Sequence, residues 1–288
     1  MFKLAVFTDE VSQVLKKAVD LAIEFKLDGV EIRSVWNKPP QDLVGDDVRK
    51  MKDLLSQTNL KVCSIASPFF KCDIDSAKEY DEHIVILRKC IELAKAFDCK
   101  IIRGFTFWRK GDLNSHWSRI MEKFDKPSKI VEEEDVILGI ENEASTFIGT
   151  ATELRTFLDE LGNRSIKAIW DPANSLFTPQ KENPYPLGYD RIKKHMVHMH
   201  IKDVAFDKKT GEPDCVAMGE GLIDYHGQFK ALKEDGYAGY ASLETHWRPV
   251  KLSEELLNRP GGNKFSESAE IASRICLENI MKILNGLK

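Results

Sequence analysis

The sequence predicts an α/β chain folded as a single (β/α)8 barrel, and three observations carry that expectation. Strand-like and helix-like segments alternate eight times along the chain. The 288 residues allow about 36 per unit, enough for a strand, a helix and two loops. The connections entering strands are short and those leaving them are long, and in this fold the elaborated loops stand at the carboxyl ends of the strands, where function sits. A doubly wound open sheet is the competing fold, but no Gly-rich phosphate loop follows the first strand.

Residues 2–7 read as the first strand, and Leu15, Ala18, Val19, Ala22 and Ile23 form a helical face over 12–26. Strands follow at 29–32, 62–66, 100–104 and 136–141, with helices at 46–57, 77–97 and 113–134 between them. The helix at 150–161 closes on Gly162 as a C-cap. The sixth strand covers 166–171, and a helix lies near 188–195. The seventh strand covers 197–203, the seventh helix 225–234, the eighth strand 239–244 and the last helix 266–285. Loops such as Lys26-Leu27-Asp28 and Asp98-Cys99 enter strands; those at 33–45, 67–76, 172–187, 204–224 and 245–265 leave them. No shift in composition marks a second domain, so 1–288 reads as one.

The seventh strand is the most informative. Val197, Met199 and Ile201 alternate with His198, His200 and Lys202. In a closed parallel barrel the apolar row packs outward on helices, and the polar row lines the interior. Two imidazoles and an ammonium in that interior are costly unless they hold something.

Net charge is −4, from 42 basic and 46 acidic residues without a like-charge block, which argues against nucleic-acid or anionic-membrane partners. Six scattered cysteines without a C-x-x-C pair suit reduced thiols in a cytoplasmic protein. No signal peptide and no run long enough to span a bilayer is expected.

Four successive strands deliver a metal-binding side chain to the same rim: Glu141, Asp171, His200 and Glu244. Three carboxylates and one imidazole suit one divalent ion, Mn²⁺, Mg²⁺ or Co²⁺, with Zn²⁺ tolerated. An acid at a strand end is commonly just solvated or caps a helix; the convergence on neighbouring strands is what points to a site.

The segments Ile140-Glu141-Asn142, Trp170-Asp171-Pro172-Ala173-Asn174, His198-Met199-His200-Ile201-Lys202-Asp203, Met218-Gly219-Glu220-Gly221 and Ser242-Leu243-Glu244-Thr245-His246 resemble the xylose-isomerase-like TIM-barrel superfamily. That group holds sugar and sugar phosphate isomerases and epimerases, inosose dehydratases and endonuclease IV, and the resemblance covers nearly the whole chain. It implies metal positions at Glu141, Asp171, His200 and Glu244, with Glu141 and Glu244 doubling as the acid/base pair. Many members carry a histidine where this chain has Asn174. Endonuclease IV carries further histidines where Ala66-Ser67, Arg103 and Asn174 stand here, which argues against a three-metal phosphodiesterase site.

The chemistry supports the same reading. Removing a proton beside a carbonyl needs stabilisation of the enediolate by a Lewis acid, and two carboxylates on opposite sides can take and return the proton. Isomerisation or epimerisation of a sugar, ketose or sugar phosphate is therefore the leading expectation. Loss of a β-hydroxyl, as in an inosose or dehydroshikimate dehydratase, is the alternative. A metal-dependent endonuclease and a non-catalytic sugar binder rank lower. Lys202, Arg103, Asn174, His246 and Trp108 are candidate substrate contacts, and Trp36 and Trp247 flank the same rim. Glu31 and Arg33 read as a mutual pair that buttresses the rim, and Gly219 and Gly221 as positive-φ turn residues. The expected partner is a small carbohydrate; self-association through outer helices stays open.

Overall fold

The structure, a computed structural model, describes residues 2–249 and 253–287; residues 250–252 of the 245–265 connection lie outside the described residues. The strands are β1 (Lys3–Phe7), β2 (Gly29–Ile32), β3 (Lys61–Phe69), β4 (Ile101–Gly104), β5 (Ile137–Glu141), β6 (Ile166–Trp170), β7 (Met196–Ile201), β8 (Asp203–Phe206), β9 (Pro213–Val216) and β10 (Tyr240–Leu243). Eight of them close a barrel in the order β1-β10-β7-β6-β5-β4-β3-β2, and every pair is parallel. The expected (β/α)8 barrel is therefore present. β8 and β9 form a separate antiparallel hairpin.

The helices are α1 (Leu15–Glu24), α2 (Asp46–Leu55), α3 (Ala77–Ala96), α4 (Leu113–Lys123), α5 (Asp125–Glu133), α6 (Ala151–Leu161), α7 (Tyr189–Ile192), α8 (Tyr225–Glu234), α9 (Glu254–Asn258), α10 (Gly262–Phe265) and α11 (Ala269–Asn285). Local chemistry sets their ends. Thr150 and Glu153 form a capping box at the start of α6, and Gly162 ends it in the left-handed region at φ 62°. Ser76 and Asp112 cap α3 and α4. The helix expected over 113–134 is two helices meeting at Phe124. Pro127 accounts for the break: it has no N–H, so it sits in the first turn of α5, where none is needed.

Outward-facing Val30, Ile32, Ile102, Leu138, Ile140, Met199, Ile201 and Leu243 are all fully buried between strands and helices. That apolar layer is the core, and on the order of 2 kcal/mol of burial per such side chain holds barrel and helices together. The polar row of β7 is buried too: His198 and His200 are 0% exposed. Both reach across the barrel to β2, which is not hydrogen-bonded to β7. The alternation read from sequence thus has the expected hand.

Gly219 has the expected positive φ, 84°. Gly221 serves a different purpose. A Cβ there would stand 2.0 Å from Asp203 Oδ1 and 2.6 Å from the Val204 carbonyl. Its lack of a side chain lets the Asp203 carboxylate accept from the backbone N–H of Gly219 (2.9 Å), Gly221 (3.0 Å) and Ile223 (3.4 Å). This pins the loop after the hairpin to the start of β8.

Candidate metal centre and active site

The carboxyl ends of β5, β6, β7 and β10 bring Glu141, Asp171, His200 and Glu244 together, with one ligand atom of each within 4.8 Å of the others. All four are buried. His200 Nδ1 lies 3.1 Å from Glu141 Oε1 and 4.0 Å from Glu244 Oε2. Asn142 positions Asp171: its Oδ1 accepts from the Asp171 backbone N–H at 2.9 Å, and its Nδ2 donates to the Asp171 carbonyl at 2.8 Å. Asp171 is followed by Pro172, which stops the strand there.

The donor set fits a divalent ion. Asp171 Oδ2 is buried without a well-aligned hydrogen bond, although the Lys202 ammonium lies 2.9 Å away. A buried carboxylate oxygen in that state is a ready ligand. Burial pushes Asp171 up to about 6, only partly offset by Lys202. His200 behaves oppositely: burial would lower it, but Glu141 and Glu31 outweigh this and lift it to about 10. Glu31 Oε1 faces His200 Nε2 at 3.4 Å, which leaves Nδ1 directed at the carboxylates. A carboxylate behind a ligating imidazole fixes its tautomer and orientation.

A shell of cations surrounds the acids. Arg33 Nη1 is 2.5 Å from Glu244 Oε1, and the same guanidinium holds Asp9 and Glu10 at 3.0 and 2.8 Å. Glu31 and Arg33 are therefore not the mutual pair expected from sequence; Glu31 turns to His198 at 2.8 Å and to His200. Arg103 Nη1 holds Glu141 at 3.1 Å, and Lys202 Nζ bridges Asp171 and Glu244 at 2.9 and 3.1 Å. Asn174 Nδ2 donates to Glu141 Oε1 at 3.2 Å. His246 Nε2 stands 3.5 Å from both Glu10 and Glu244, and burial lowers it to about 4 against the pull of Glu244, so it is neutral near pH 7. Trp108 stands further out, lining a cavity of about 230 Å³ shared with Arg33 and Arg103. Asp9 and Glu10, absent from the expected site residues, lie in the turn Thr8–Glu10 just past β1; the strand-end rule that pointed to the four candidate ligands would have found them.

A profile of the xylose isomerase-like TIM barrel family matches residues 19–275, and the chain belongs to that family. It is 24% identical over 251 residues to an inosose dehydratase of Yersinia enterocolitica, covering 79% of this chain and 82% of that one. Among solved structures it resembles the IolI protein with a bound zinc atom (TM-score 0.74, 18% identity, 100% of this chain and 99% of that one). It also resembles a D-allulose 3-epimerase from Methylomonas sp. in complex with D-allulose (TM-score 0.70, 18% identity, 98% and 96%). Those structural likenesses show the fold. Among the described residues, no helix is long and apolar enough to cross a membrane.

Proposed function

We propose that this protein is a divalent-metal-dependent enzyme that moves a proton at the carbon next to a carbonyl in a sugar, ketose or sugar phosphate, as an isomerase or epimerase. The observation that carries it is the convergence of Glu141 and Glu244 on one imidazole from strands three apart around the barrel. Burial would raise both acids, but His200 and Arg103 hold Glu141 down to about 2. Lys202, His246 and Arg33 likewise hold Glu244 well below the usual carboxylate range despite its burial. Both are therefore ionised at neutral pH, the protonation state a general base starts from. Glu141, Asp171, His200 and Glu244 would hold one divalent ion, which when bound supplies Lewis-acid stabilisation of the developing oxyanion. Arg103 and Asn174 orient Glu141; Arg33 orients Glu244.

A dehydratase is the second reading, favoured by one contact. The Lys202 ammonium, 3.1 Å from Glu244, is a buried cation able to hydrogen-bond a departing hydroxyl and offset its developing negative charge. The inosose dehydratase relatives support the same reading. A screen of the metal-reconstituted protein against ketoses, ketose phosphates and inososes, followed by NMR and mass, separates the two. A product of unchanged mass supports isomerisation or epimerisation, and loss of water supports the dehydratase. Turnover unaffected by a chelator would refute the metal-dependent proposal.

A further inference from the structure

We infer that the cavity outside the candidate metal centre is an oxyanion subsite, which takes a carboxylate or phosphate carried by the substrate between Lys71 and Arg259 over the Trp108 ring. This rests on the proposed reading of the site as one that acts on a carbonyl compound. The cavity's lining includes Arg33, Lys71, Arg103 and Arg259 and no carboxylate. A neutral sugar needs no cationic side chain with an uncommitted donor at that wall, whereas such a donor raises the local concentration of an anion and orients it.

The four cations are not equivalent. Arg33 has its guanidinium occupied by Asp9, Glu10 and Glu244. Arg103 gives its N–H groups to Glu141 and to the carbonyls of Ser67 and Ala66. These two are the inner wall and belong to the acids. Lys71 Nζ donates to Glu143 at 3.2 Å and to the Asn258 carbonyl at 3.3 Å, which leaves one of its three N–H groups uncommitted. It is held 4.4 Å over the Phe105 ring and 5.6 Å over the Trp108 ring, its side chain 10% exposed. Among the described residues Arg259 has no carboxylate partner; its guanidinium lies 5.6 Å from the Trp108 ring centre. Lys71 and Arg259 thus both lie 5.6 Å from the centre of one indole, with donors to spare. Pro39, Pro40, Pro68 and Pro260, with their fixed φ, line the same cavity beside Ala66, His83, Ile86 and Asn258. A planar or tetrahedral oxyanion is the chemistry that a guanidinium and an ammonium in that setting recognise.

The test measures binding without turnover, so it stands or falls separately from the proposed reaction. D-fructose, D-fructose 6-phosphate and D-gluconate are titrated calorimetrically into the metal-loaded protein and into Arg259→Gln and Lys71→Gln. The expected result is that at least one charged probe binds about tenfold or more tightly than D-fructose at low salt, and that either substitution removes most of that preference while leaving D-fructose affinity in place. The tighter charged probe identifies the oxyanion as phosphate or carboxylate. Charged probes that bind no tighter than D-fructose overturn the inference, as does a preference that survives both substitutions. Absence of any chemical conversion, with the charge preference intact, would count against the proposed reaction and leave the subsite standing.

Discussion

If Glu141, Asp171, His200 and Glu244 hold a divalent ion as proposed, protons compete with it for two of the four, and metal affinity should be steeply pH-dependent. His200 is held up to about 10, because Glu141 and Glu31 outweigh the effect of burial, so below that pH the imidazole must lose a proton before Nδ1 can bind a metal. Asp171 is pushed up to about 6 by burial, with Lys202 partly opposing. Glu141, at about 2, and Glu244, well below its ordinary range, are ionised throughout. Lys202 is held well above its ordinary range against the effect of burial, so it stays charged and adds no slope. Near pH 7 each bound ion therefore expels about one proton, from His200; near pH 5 it expels about two, the second from Asp171. The sign follows: affinity rises with pH. From pH 7 down to pH 5 it falls about 10²-fold through His200 and about a further tenfold through Asp171, together about 4 kcal/mol. Competition against a fluorescent chelator across pH 5–8, in buffers that do not bind metals, measures it. His200→Gln should keep only the smaller Asp171 component. An affinity that stays flat from pH 5 to pH 7 would refute the reasoning.

Three further outcomes follow from the same geometry. Glu141→Gln and Glu244→Gln should each lose turnover by about 10²-fold or more, the usual weight of a general base, with NMR exchange in D₂O and metal content measured in parallel; full activity at normal metal occupancy would remove the two-carboxylate mechanism. Gly221→Ala should destabilise the fold by about 2–3 kcal/mol in urea unfolding, because its Cβ displaces the Asp203 carboxylate from the backbone N–H groups it accepts; a midpoint unchanged from wild type would contradict this. His83, lowered by burial to about 4, has an Nδ1 that accepts from the Phe70 N–H at 2.8 Å. Its stabilising contribution is complete above pH 6.5 and is lost as pH falls toward 4, up to about 3 kcal/mol. The urea midpoint should therefore drop more over that window in wild type than in His83→Gln.

Much of the site was legible because it sits on strand ends. Alternation along Val197–Lys202 sets which side chains face the barrel interior, and Pro172 pins where β6 stops, so His200 and Asp171 follow from local pattern alone. The Arg33 network did not follow. Its partners Asp9 and Glu244 are 24 and 211 residues away in sequence. The mutual pair of Glu31 and Arg33 failed for a geometric reason: residues two apart on a strand stand about 6.6 Å apart, while the closed barrel brings partners from other strands to within 2.5–3 Å of the same groups. The hairpin of β8 and β9 was hidden at the junction of the expected seventh strand, 197–203, and the 204–224 connection. Its strands have only four residues each, too few for a period of two to stand out, and Pro213 at the start of β9 reads as a loop.

The proposed metal centre has Glu141, Asp171, His200 and Glu244 holding one divalent ion. Elemental analysis of purified wild type, His200→Ala and His195→Ala tests it most directly. His195 pairs with Asp159 outside the candidate metal group, so its loss controls for removing an imidazole as such. Wild type and His195→Ala should each carry about one ion per chain, and His200→Ala should carry far less. Equal metal content in wild type and His200→Ala would contradict the claim.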